Sequence, residues 1–493
     1  MDAQNHRVRR RKTEWRLTLA LEAHVALVET LARAAGPERP SAAAALSAAT
    51  EEAIRASGRG LDLAEADFMN FDLHGANLSR ATLNRTIFHG TNLHGADLSE
   101  VTMVCPGMER TNLSQANLRG AYVHALAMQT CNLEEADLRH LRDATGSLFH
   151  GCKMRGANLD KGHLGGTTFY QCDLSLASLR GTNLQGATAN ECLFDRADLA
   201  EALVDQLTVT KCSMRSTSLS GARGVDCCLQ RLTCADDLIF EGASLPHLRL
   251  SAVRARGWRA ASLTAPAADL LDVSVEEADL ENADLSNARI HRCCLSRVNL
   301  NGAILNGASV TSSSMRRATL VAARAENLQI VESDLADADA SLLAGRCLVA
   351  RDVDLAGASF VNANLYRAML TGDPPDGMSL KGAVLEGAVL VQAYIAADLS
   401  DANLLNVNAA YSRFSQSNLC GARLNSANMH QSTWVKVDVT GACLAGVKAP
   451  VFIDRCRGLQ EAVGSLGQDE TSDLDEFAHH LHVLLTSARH GST

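Results

Sequence analysis

The chain is poor in rings: of its 493 residues only 4% are aromatic, although 46% are hydrophobic. That shortage excludes a core filled by aromatic side chains and leaves Leu and Ala to fill a narrow, regular interior. No run of roughly 18 uncharged apolar residues occurs, so no segment is read as crossing a membrane. Positive charge is not in excess either. The 46 Lys and Arg face 56 Asp and Glu, a formal charge of −10, which argues against direct nucleic-acid binding by a broadly basic surface. The 15 Cys lack the short, even pattern of a secreted disulfide framework, and reduced thiols in the cytoplasm are expected. Arg7, Arg9, Arg10, Arg11 and Lys12 precede an apolar stretch, but Glu22, His24 and Glu29 interrupt it, unlike a secretory signal.

Reaction motifs are missing as well. GxGxxG after a strand, a Walker-type loop, HExxH and GxSxG do not occur in a supporting setting. No catalytic, cofactor-binding or metal-ligating residue is assigned, and no enzyme is expected. Asp67, Asp97, Asp279 and Asp398 recur before a large apolar residue as scaffold, not as paired acids.

What is present is a period of five. From Leu63 the chain reads DLAEA, DFMNF, DLHGA, NLSRA, with Leu63, Phe68, Leu73, Leu78, Leu83, Phe88, Leu93 and Leu98 at the centres. A small residue such as Ala66, Ala76, Ala81 or Ala96 stands two places before a centre, with Asp or Asn commonly between them. Period five matches neither a helix nor a half-buried strand, and a coiled solenoid remains. Cys152, Cys172, Cys192 and Cys212 recur every twenty residues, so four fives make a coil. Phe68, Phe88, Met108 and Met128 form a second column, which Phe149 and Phe169 continue after a slip of one residue. The same slip separates Cys131 from Cys152, placing an extra residue between Leu138 and Phe149.

The pattern resembles the pentapeptide-repeat family over residues 59–447. The resemblance implies an all-β solenoid, a right-handed quadrilateral β-helix with four pentapeptides per coil and its central and small residues inward. About nineteen coils at roughly 4.8 Å would give a rod on the order of 90 Å. Further phase slips are expected near 235–239 and 396–398. Residues 251–269, with Trp258 and Pro266, are read as a surface loop or kink, and Asp373, Pro374, Pro375, Asp376 and Gly377 as an interaction loop replacing one pentapeptide.

A solenoid exposes an apolar cross-section at each end, so helical caps are expected there. Residues 1–58 form a basic leader and helical N-terminal region, with one helix over 13–35 and a second, capped by Ser41, running through Ile54 to Gly58. Residues 448–493 hold a linker and an amphipathic helix beginning at Ser472. Its stripe of Leu474, Phe477, Ala478, Leu481, Leu484 and Leu485 is read as a dimer or cap interface; a C-terminal homodimer is what the resemblance implies, and folding onto the last coil is the other reading. His479, His480 and His482 mostly lie off that stripe as a solvated face.

Cys131, Cys152, Cys172, Cys192 and Cys212 are read as inward packing residues, and Cys227-Cys228 and Cys293-Cys294 as pairs with one inward member each. The functional expectation is a non-enzymatic scaffold that binds a protein partner. The resemblance adds two others: a DNA mimic that binds gyrase or topoisomerase and confers toxin or drug resistance, and a secreted bacterial effector acting in a host cell. A 90 Å duplex carries about 50 negative charges, and the best acidic run here, Asp269 to Asp284, is followed by Arg289, Arg292 and Arg297.

Overall fold

Each pentapeptide does the same backbone work. The central residue and the small residue two places before it face inward, the residue between them pairs with the neighbouring coil, and the last two make a corner. At the Leu63 corner the Ala66 amide donates to the Leu63 carbonyl at 3.2 Å, and Glu65 takes φ of 64°, the pattern of a type II turn. Left-handed backbone recurs at corner after corner, on glycine where the sequence offers it, as at Gly75 with φ of 65°. Between coils the Leu63 amide donates to Thr82 and the Thr82 amide donates to Leu61, each at 2.9 Å.

The computed structural model describes residues 40–372, 378–448 and 450–459. The chain falls into two compact units, Met1–Gly224 and Val225–Thr493. Both are parallel β solenoids, an all-β architecture as the repeat implies.

In the first unit the four sides of a coil pair separately with the next: Asp62 with Thr82, Asp67 with Ile87, Asp72 with Asn92 and Asn77 with Asp97. The core is the column of centres. Phe68 stacks on Phe88 with ring centroids 5.6 Å apart, and Phe149 on Phe169 at 5.2 Å. Tyr122 pairs with Arg142, twenty residues on, whereas Ala127 pairs with Leu148, twenty-one on. The extra residue therefore lies between Arg142 and Leu148, within the expected slip.

One helix is described, α1 (Pro40–Ser57, 18 residues). Leu46 and Thr50 on it are fully buried, and Ser47 Oγ accepts the Asn77 amide at 2.8 Å. The expectation of helices at both ends is thus reduced to this one helix; residues 13–35 and 472–485 lie outside the described residues.

The second unit corrects three expectations. Residues 251–269 are not a loop. They contain part of the long strand Arg249–Arg256, which pairs with Asp269–Glu276 at a spacing of twenty throughout, and Ile239 and Ser244 continue that spacing to Arg259 and Thr264. The low apparent register came from an exchange of sizes. Trp258 occupies the inward small position, 6% exposed, and Ala260 the centre two places later, fully buried. Trp258 packs edge-on against Phe240 at 5.7 Å and its Nε1 donates to the Ala235 carbonyl at 2.8 Å.

The five residues 373–377 do not replace a pentapeptide. Asp354 pairs with Ser379 and Thr371 with Ala396, both twenty-five apart, so this coil carries one extra five. The other slips fall as expected: one residue is gained between Gln230, paired with Ser251, and Ile239, paired with Arg259. One is lost between Ile395, paired with Phe414, and Asp398, paired with Asn418. Pairing also continues beyond Val447, through the strand Phe452–Asp454 to a bridge between Asp438 and Arg457. Another single-residue loss hides there, since Asn428 pairs with Lys448 but Thr433 with Phe452.

Candidate interaction surface

Most inward polar side chains are used up by the solenoid itself, although Ser147 Oγ, Ser432 Oγ and the Trp434 Nε1 are buried without a hydrogen-bond partner among the described residues. Thr91 and Thr111 donate to the carbonyls of Phe68 and Phe88, twenty-three residues upstream, each at 2.6 Å. The cysteine column extends the same device: Cys131 Sγ faces the Met108 carbonyl at 3.5 Å and Cys172 Sγ the Phe149 carbonyl at 3.2 Å. These carbonyls keep a free lone pair that a small polar residue of the next coil can reach. All fifteen cysteines are free. Hydrogen bonds from Cys131 and Cys172, then burial, push the Cys152 thiol up. Burial, with the neighbouring Cys228 adding to it, raises Cys227 to about 12, and burial leads the rise of Cys293 to about 11. Thiols held protonated in this way are poor nucleophiles and poor metal ligands. Cys227 and Cys293 are buried and Cys228 and Cys294 are half-buried, as the register requires.

Outward side chains meet their equivalents one coil away. Asn92 and Asn112 form an amide ladder from Asp72 at 2.8 and 3.0 Å, and His74 stacks on His94 at 5.0 Å. Charges pair in the same way. Arg85 meets Glu65 at 3.4 Å and Lys211 meets Glu191 at 3.1 Å. In the second unit Arg292 reaches Asp272 at 2.7 Å and Arg297 reaches Glu277 at 2.6 Å. The Arg292 guanidinium holds the Asp272 carboxyl below its ordinary value. Exposed pairs of this type each contribute about 0.2–1 kcal/mol, but together they neutralise much of the surface locally.

A groove of about 1300 Å³ lies in the second unit along the row containing Arg254, Ser274, Cys294, Ser314, Asp334 and Asp354. Its floor serines are committed to backbone: Ser313 Oγ donates to Thr311 and Ser333 Oγ to Val331, both at 2.8 Å. Among the described residues no group of three or more His, Cys, Asp and Glu is placed to hold a metal ion, and no helix is long and apolar enough to cross a membrane.

Of the residues singled out from the sequence, Asp373, Pro374, Pro375, Asp376 and Gly377 lie outside the described residues, as do Leu474, Phe477, Ala478, Leu481, Leu484 and Leu485. The sequence did not single out a cluster that the coils assemble in the second unit from Arg346, Tyr366, Arg367, Tyr394, Tyr411 and Arg413. Arg346 and Tyr366 are one ordinary coil apart, but Tyr394, Tyr411 and Arg413 join them only when the extra five at 373–377 and the residue lost before Asp398 are both counted.

A five-residue repeat paired coil on coil, with inward rings and outward rows, defines a parallel β-helical solenoid of the repeat-protein class. The signature described as Pentapeptide repeats matches in eight copies, at residues 55–103, 177–215, 267–302, 293–327 and 397–433. The chain belongs to the pentapeptide-repeat family. No curated protein matches it. Among solved structures it is similar to HetL, a pentapeptide repeat protein involved in heterocyst differentiation regulation from the cyanobacterium Nostoc sp. strain PCC 7120. That match has 20% identity, covers 62% of this chain and 94% of that one, and has a TM-score of 0.13. It is also similar to full-length QnrB1, a plasmid-mediated fluoroquinolone resistance protein, with 18% identity, 49% and 94% coverage and a TM-score of 0.15. A pentapeptide repeat protein of the Arabidopsis thaliana thylakoid lumen matches at 18% identity over 30% of this chain and 66% of that one, with a TM-score of 0.14. Likeness at this level bears on neither partner nor reaction.

Proposed function

We propose that the protein is a non-enzymatic scaffold whose outward side chains, held in rows by the coils, engage a protein partner. One observation carries this reading. A single outward column of the second unit runs Asp269, Arg289, Ser309, Gln329, Val349, Met369, Tyr394, Arg413 and Thr433 on one backbone register. The lattice is uniform while the chemistry it displays changes at each step, as suits recognition of an irregular surface rather than of a repeating polymer.

Local charge pairing weakens the DNA-mimic reading. In the best acidic coil Asp272 and Glu277 are each matched by an arginine of the next coil, so the acids do not build a duplex-like stripe. The C-terminal segment is proposed to cover apolar surface, as a homodimer interface or on its own last coil. Capture by the tagged intact protein, compared with a chain truncated after residue 459, tests the reading. A stoichiometric partner lost on charge reversal of outward residues, with an unchanged thermal melt, is expected. A turnover abolished by one outward substitution would overturn the scaffold reading.

A further inference from the structure

We propose that the second unit binds a short acidic segment of a partner protein on the strip formed by Arg346, Tyr366, Arg367, Tyr394, Tyr411 and Arg413. This rests on the protein-binding reading above and names the chemistry of one partner.

Coil pairing builds the strip. Met369 pairs with Tyr394 and Tyr394 with Arg413, which sets one column. Beside it, the Cys347 amide donates to the Tyr366 carbonyl at 2.8 Å and the Tyr411 amide to the His430 carbonyl at 2.9 Å, which places the corner residues of successive coils next to it. From Arg346 to His430 the strip spans four coil steps, about 19 Å at roughly 4.8 Å per step. That is the length of about six residues of extended chain.

What sets the strip apart is how its arginines are held. Many arginines, such as Arg85, Arg256, Arg292 and Arg297, meet a carboxylate of the adjacent coil. Among the described residues Arg346, Arg367 and Arg413 have no such ion pair. They lie over tyrosine rings instead: Arg346 and Arg367 over Tyr366 with Cζ 5.4 and 5.3 Å from the centroid, and Arg413 over Tyr394 at 6.0 Å. Gln392 Oε1 accepts from both Tyr366 Oη at 3.0 Å and Arg367 Nε at 2.8 Å. Three guanidinium groups are therefore held by rings and an amide with donors still unmatched, which lowers the ordering cost of gripping carboxylates.

The alternative polyanion, single-stranded nucleic acid, gains affinity by stacking bases on free aromatic faces. Here the Tyr366 ring is already engaged by two guanidinium groups. A chain of net charge −10 also opposes a long polyanion outside a short strip. Both points favour a brief run of Asp and Glu.

The test is fluorescence anisotropy on the full-length protein with a labelled ten-residue Glu-rich peptide, run beside a labelled oligothymidylate of equal length. Saturable peptide binding is expected. The combined substitution R346E/R367E/R413E should weaken it at least about tenfold, and Tyr366→Leu by a smaller factor. Control R85E, at an ion-paired arginine, should change it little. All these side chains are exposed or half-exposed, and unchanged thermal melts would verify folding; were the triple variant to unfold, R367E alone would supply the comparison. Absence of saturable peptide binding, equal binding by the charge-reversed variant, or tighter binding of the oligothymidylate through the same residues would overturn the proposal. If the peptide fails while the intact protein still captures a stoichiometric partner, this assignment falls and the scaffold reading stands.

Discussion

At the scale of the residue, the interior admits one large and one small side chain per five, but it does not fix their order. Trp258 and Ala260 reverse it and still fill the space, with the indole N–H donating to the Ala235 carbonyl. Trp258→Ala should cost about 3–5 kcal/mol through the cavity it opens, and Ala260→Leu alone about 1–3 kcal/mol through overpacking. Together they restore the usual order. The double variant should therefore be more stable than the sum of the two single changes implies, as denaturant titration of all four proteins would register. Additive losses would show that Trp258 matters for its hydrogen bond rather than for volume. A second expectation concerns Cys227, whose thiol burial raises from 9.0 to about 12. The folded state keeps this proton where the unfolded chain releases it. The contribution is thus fully present below pH 9 and is lost as pH rises from there toward 12. Thermal melts should fall over that alkaline window, and less steeply in Cys227→Ala; parallel slopes would remove Cys227 as a cause.

At the scale of the element, the unit of construction is the coil, and coils accept insertions at corners. The stretch Leu370, Thr371, Gly372, Met378, Ser379, Leu380 reads as an uninterrupted repeat once residues 373–377 are set aside. The inward positions on either side, Leu370, Met378 and Leu380, are all buried. Deleting 373–377 should leave every pairing intact, return the coil to twenty residues and change stability by less than about 1 kcal/mol, the scale of loop-length effects. Thermal melting checks this, and a loss of several kcal/mol would mean that the extra five are packed against the coil. The long strands Arg249–Arg256 and Asp269–Glu276 make the opposite point. There two faces run on as one strand across the corner, with Ala252 and Asp272 in the left-handed conformation that corners use throughout, φ of 51° and 54°.

At the scale of the whole molecule, each described coil touches its neighbours through short-range pairing, so stability sums local terms and is lowest where a neighbour is fewest. The strand Phe452–Asp454 has Phe452 exposed and Ile453 and Asp454 only half-buried. Ser309–Thr311 has Val310 buried at 2% exposure and is paired on both sides. Hydrogen exchange should be fast in the first strand and slow in the second. Equal protection would mean that the chain beyond residue 459 covers the last strand. The surface, meanwhile, cancels much of its charge across coils, which turns the unmatched arginines around Tyr366 into a local feature of an acidic protein.

The sequence alone determined the solenoid, because a period of five repeated in register has a single way to bury its large and small residues together. It also located slips near 139–148, 235–239 and 396–398, the first of them because two columns shift at once when a residue is gained. It misjudged 251–269, where Trp258 and Ala260 exchange places, because a pattern of types cannot see that two volumes compensate. It read 373–377 as a replacement, because counting along the chain does not tell an extra five from a substituted one; pairing across coils does. Only the tertiary structure could assemble Arg346, Tyr366, Arg367, Tyr394 and Arg413. Outward residues carry no periodic constraint, and which of them become neighbours depends on the accumulated register of every coil between them.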